Sequence, residues 1–151
     1  MLEIAAACAD LEGLRSWVSQ QHGIAATDAG NFWLPIVWTD RGPLYAEVIS
    51  QRDDGRYHQP FHLDDRTKQP LYYLAYNLLS SLQAPPSVYL MQIAFKSRES
   101  PSATIEILFD RLIPFPAEPA IASIGVQEPN LFTCHWLCLT NRPILDLVIR
   151  N

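Results

Sequence analysis

The chain has 151 residues, 48% hydrophobic and 18% charged, with a formal net charge of −5. That length gives a single globular domain over 1–151 that can bury a core without staples, and the acidic balance, with Lys and Arg scattered singly, argues against a nucleic-acid surface. No segment approaches the roughly 20 apolar residues of a membrane span, and three cysteines form no disulfide framework, which points to reduced thiols in a cytoplasm.

Residues 2–21 read as a helix, because Leu2, Ala5, Ala6, Ala9, Leu14, Trp17 and Val18 recur at helical spacing. Gly13 is its weak point and His22-Gly23 its stop. The opening "MLEIAAACAD" has Glu3 where a signal peptide carries positive charge, and its apolar run is too short for one. "TDAGN" (27–31) is a turn. "FWLPIVW" (32–38) and "LYAEVIS" (44–50) are strands joined by "TDRGP". "RDDGR" (52–56) turns the chain into a third strand, "YHQPFHL" (57–63), interrupted at Pro60.

The next stretch carries Leu71, Leu74, Ala75, Leu78, Leu79 and Leu82, which make one continuous face of a helix over 70–83. Asp65 or Thr67 can cap it, Pro70 fits its first turn, and Pro85-Pro86 end it. Strands over 87–96 and 102–113 form a hairpin across "SRESP". Ile105, Ile107 and Phe109 point inward, while Glu106 and Asp110 point to solvent. A proline-punctuated loop (114–130) precedes two last strands, 131–139 and 143–150, the second with Leu145, Leu147 and Ile149 inward.

The expected order is α-β-β-β-α-β-β-loop-β-β: an α+β fold, an antiparallel sheet with two helices packed on one face. Over about residues 2–113 this order resembles the small α/β fold of type III secretion chaperones.

Candidate chemistry is sparse. Within a strand over 131–139, Cys134, Trp136 and Cys138 share one face and His135 takes the other. Four strand residues span ~13 Å, too far for a disulfide or a shared zinc. That leaves two core thiols beside a buried tryptophan, with His135 as a lone polar contact. "RDDGRYHQPFHLDD" holds His58 and His62 with Asp64 and Asp65, but Pro60 breaks the helix on which H-x3-H would converge. No Gly-rich phosphate loop and no nucleophile elbow occur. No catalytic residue, metal ligand or cofactor is therefore expected.

One strand breaks the pattern. Residues 32–38 are apolar on both faces, as in a central strand, yet Pro35 belongs at an edge or a bulge. Either the N-terminal helix covers such an edge, or it is a contact surface of Trp33, Pro35 and Val37 for a partner or a second copy. The expected function is thus a small soluble binding or accessory protein, chaperone-like, with a protein partner or a second copy. Two alternatives stand beside it. One is an enzyme or metal-dependent site built from His58, His62, Asp64 or Asp65, and His135. The other is a small-ligand pocket lined by Tyr72, Tyr76 and Trp136.

Overall fold

The structure is a computed structural model that describes residues 3–96 and 105–150. Two helices come first, α1 (Ile4–Ala9) and α2 (Leu11–His22), in place of the one expected over 2–21. The break is at Asp10, which leaves the helical region (ψ 75°) and caps α2 by accepting from the Gly13 N–H at 3.1 Å. A side chain at residue 13 would collide with the Asp10 carboxylate. Glycine at this position therefore permits the cap and is no defect of the helix.

Strands β1 (Phe32–Thr39), β2 (Gly42–Tyr45), β3 (Val48–Gln51) and β4 (Tyr57–Phe61) follow, then helix α3 (Asp65–Ser81) and strands β5 (Ser87–Lys96) and β6 (Glu106–Ile113). All sheet pairings among them are antiparallel, in the order β4-β3-β1-β5-β6 with β2 also on β1, six strands in all. The fold is α+β. The connection expected at 97–101, the expected strand residues 102–104 and Leu2 lie outside the described residues.

β1 is central, not an edge. Its flank towards β5 is regular across Pro35, which faces Leu90. On the other flank the register slips by one residue between β2, where Ile36 faces Tyr45, and β3, where Trp33 faces Ile49. The Pro35 carbonyl accepts from the Ala46 N–H at this slip. A strand residue's N–H and C=O point the same way, so the N–H that proline lacks would have faced the irregular stretch. Proline is thus tolerated inside the sheet because the bulge lies in the neighbouring segment.

The first face of the sheet is covered by α2 and α3. Leu14 and Val18 of α2, and Leu71, Leu74, Leu78 and Leu79 of α3, pack on Leu34, Ile36, Tyr89, Met91 and Phe109. The cap of α3 is Asp64, which accepts from the Thr67 N–H at 2.9 Å, rather than Asp65 or Thr67. The helix therefore begins earlier than expected, and Pro70 sits in its body instead of its first turn.

The second face is covered by the C-terminal third. It comprises a 3-10 turn (Glu118–Ser123), β7 (Gln127–Glu128), α4 (Leu131–Leu139) and β8 (Val148–Ile149), which pairs with β7. Here Trp33, Val37, Ile49, Val88 and Leu90 meet Ala120, Leu131, Cys134 and Cys138. The strand expected over 131–139 is a helix, and the one expected over 143–150 shrinks to two residues. Asn130 supplies the missed cap, accepting from the Thr133 N–H at 2.9 Å. Leu145, expected inward, is exposed.

Candidate functional site

Polar groups gather in several places among the described residues. The first is a closed cluster at the edge of the sheet. A register shift opposite Gln92 and Ile93 puts an extra residue into β6, and Asp110 falls there. Its carboxylate, expected on a wet face, is fully buried. It accepts from Arg15 (3.0 Å), from Arg111 (2.9 Å) and from the Gly30 N–H (2.9 Å). Arg15 also donates to Asp28 (2.9 Å) and to the carbonyls of Thr27 (2.8 Å) and Asp110 (3.0 Å). Gln92 donates to the Gly30 carbonyl at 2.7 Å, and a Cβ at residue 30 would lie 2.8 Å from both Asp110 and Gln92. The donors of Arg15 are committed to protein acceptors. The cluster joins α2, residues 27–30 and β6, and serves the fold: a buried charge persists only when paired and hydrogen-bonded.

The second place is the foot of α4. His135 Nδ1 lies 3.1 Å from Ser87 Oγ and 3.4 Å from the Val88 nitrogen. A backbone N–H can only donate, so Nδ1 accepts and the ring proton sits on Nε2. Burial lowers the pKa of His135, which favours the same neutral form. The pair has the contact of a nucleophile and its base, but Ser87 is only 5% exposed and out of reach of a substrate. His135 fastens α4 to β5.

The third place comprises two clefts. One, of about 450 Å3, lies where the end of α2, α3 and the start of β6 meet, lined by Gln21, His22, Ile24, Pro70, Tyr73 and Glu106 among others. The other, of about 110 Å3, lies between the β1–β2 turn and the chain after α4, lined by Asp40, Arg41 and Arg142.

Apart from His135, the residues singled out from sequence fall elsewhere. Trp33, Pro35 and Val37 are interior, with Trp33 at 4% exposure, edge-on to Tyr57. The face expected to be open there is covered within the chain by α4 and the 3-10 turn. His58 and His62 are exposed, and His58 pairs with Arg52 at 3.0 Å. Asp64 is spent on its cap. No group of three or more His, Cys, Asp or Glu gathers among the described residues. The alternative site of His58, His62, Asp64, Asp65 and His135 therefore does not assemble. Nor does the pocket of Tyr72, Tyr76 and Trp136. Tyr72 stacks on Tyr45 (4.2 Å, 7°) and Tyr76 packs on Trp38 (5.8 Å), both on the α3 side. Trp136, expected to be buried, lies on α4 over the opposite face and is 62% exposed.

Cys134 and Cys138 are buried and unpaired, one helical turn apart. Burial pushes their pKa values up to about 12 and about 11, so at neutral pH both are inert thiols.

No family model matches the chain, and no curated protein matches it in sequence. Solved structures do match its fold. Glycinamide-RNase-transformylase T from Mycobacterium tuberculosis superposes at a TM-score of 0.71 and 17% identity, over 95% of this chain and 52% of that one. N5-carboxyaminoimidazole ribonucleotide synthetase from Thermotoga maritima gives a TM-score of 0.62 at 12% identity, over 80% of this chain and 31% of that one. The Staphylococcus aureus N5-carboxyaminoimidazole synthetase, complexed with ADP, gives 0.61 at 10% identity, over 82% and 32%. The chain thus spans about half the length of the first and about a third of the others. The expected chaperone-like accessory role is overturned here. It rested on the lack of a catalytic constellation or cofactor loop in the sequence and on an apolar contact strand that is interior, whereas the fold is similar to that of part of each of these enzymes.

Proposed function

We propose that the chain is an enzyme-type domain that takes a small phosphorylated ligand of the nucleotide class. The observation that carries this reading is the fold match over 95% of the chain. Three of the matching structures are described as complexes with ADP, one of them also with 5-aminoimidazole ribonucleotide.

The residues on hand limit where a phosphate would sit. Arg15 and Arg111 are tied to Asp110, Arg56 to Asp54 and Arg150 to Glu128. Arg41 and Arg142 line one cleft and take part in none of the ion pairs among the described residues. A pair of guanidinium groups suits phosphate. At about 110 Å3 the cleft is well below the ~300–1,000 Å3 of a drug-sized ligand site. It has room for a phosphate group, with the rest of the ligand outside. One folding unit in a reducing compartment completes the reading, in keeping with unpaired Cys8, Cys134 and Cys138.

Titration with AMP, ADP and ATP, followed by thermal shift and calorimetry, tests it. A ligand that binds the native state alone raises the melting temperature in proportion to RT ln(1 + [L]/Kd). The expected result is a saturable shift for at least one nucleotide, weakened five-fold or more in Arg142→Ala. No shift with any of them at millimolar concentration overturns the reading.

A further inference from the structure

The 450 Å3 cleft carries the opposite electrostatics from the Arg41/Arg142 cleft, and nothing in the nucleotide reading uses it. Its floor is aromatic and aliphatic. The His22 ring stands 5.5 Å from Tyr73, edge to face at 73°, and is backed at 5.5 Å by Trp17. Ile24, Pro70, Ile105 and Ile107 make up the rest of the apolar lining among the described residues. Among the described lining residues Glu106 is the one carboxylate, and none is Lys or Arg.

The backbone adds to the same sign. His22 is the last residue of the 12-residue helix α2, and Gly23 turns away from it at φ +66°. The last-turn carbonyls of a helix lack intrahelical partners and carry the negative end of its dipole. His22 does not cancel this, because burial lowers its pKa and keeps the imidazole neutral at pH 7. An aromatic face, a carboxylate and a helix C-terminus around an apolar floor are the groups that hold a cation with a greasy shell.

We propose that this cleft is a binding site for a small organic ammonium ion, its charge facing Glu106 and the end of α2 and its methyl or methylene groups lying on Tyr73 and His22. The site is separate from the Arg41/Arg142 cleft, and the ligand is of the opposite charge.

The test uses choline as probe and 3,3-dimethylbutan-1-ol, its uncharged isostere, as control. Both are titrated into the full chain while the amide signals of His22, Gly23, Tyr73 and Glu106 are followed by NMR. Choline is expected to saturate those signals, with the alcohol at least five-fold weaker. Glu106→Gln and Tyr73→Leu should each weaken choline at least three-fold while the melting temperature holds. Arg142→Ala should leave choline unchanged, so failure of the nucleotide reading leaves this result intact. Equal affinity for choline and the alcohol, or choline shifts that survive both variants, overturns the proposal.

Discussion

The two faces of the sheet are covered by helices of opposite character. α3 is amphipathic: Leu71, Leu74, Leu78 and Leu79 are buried, and Tyr73 and Tyr76 are exposed among polar neighbours. α4 buries Leu131, Cys134 and Cys138 at helical steps of three and four, but Phe132, Trp136 and Leu139 on its outside are apolar as well. A period is visible only against contrast. α3 announces itself in sequence because its two sides differ, and α4 is hidden because they do not. The same masking hides what covers the second apolar face of β1, because residues 131–139 look like a strand in sequence and are the helix that packs there.

The largest expected effects test whether both faces are core. Leu78→Asp on the α3 side and Trp33→Glu on the α4 side each place a charge in the apolar core. Each should cost several kcal/mol, a large part of the ~5–15 kcal/mol that holds a domain together. Both variants should therefore lose their cooperative melting transition by circular dichroism. A Trp33→Glu protein that melts like the wild type would mean that α4 does not seal that face.

A smaller and more pointed comparison concerns the caps. Asp64 and Asn130 each accept one N–H three residues ahead, at 2.9 Å in both cases. Asp64→Ala and Asn130→Ala should each lower stability, Asn130→Ala by ~1 kcal/mol. Denaturant titration measures both. If Asn130→Ala is neutral while Asp64→Ala is not, α4 is held by packing alone and its cap is incidental.

The sequence alone made the α+β class, the central sheet and α3 legible, because each rests on a local pattern: alternation, helical period, turn residues. What it concealed was set by long-range pairing. Asp110 sits on a strand that alternates, and alternation puts it in solvent. A one-residue slip against β5 turns it inward to Arg15, 95 positions away in the chain. Pro35 marks an edge or a bulge in sequence, but the bulge belongs to the β2–β3 segment and cannot be located from residues 32–38. His135 and Ser87 are 48 positions apart, and only the helical form of 131–139 brings them together. The two clefts join residues from separated segments and had no sequence signature at all.

The smallest expected effect is the most diagnostic for α4. Trp136 projects from the side of that helix opposite Cys134 and Cys138, and its ring contributes little to the core beneath. Surface substitutions away from caps, buried networks and strained backbone stay within ~0.5 kcal/mol, so Trp136→Ser should shift the denaturation midpoint by no more than that. Serine removes an exposed apolar ring, leaves no cavity and has about the same helix propensity as tryptophan. Cys138→Ser, two positions on but facing inward, provides the contrast: it buries a hydroxyl beside Val88 and Leu90 and should cost ~1–3 kcal/mol unless that hydroxyl finds a partner. A wild-type-like Cys138→Ser together with a destabilised Trp136→Ser would reverse the assignment of inner and outer sides and put the tryptophan, not the thiols, against the sheet.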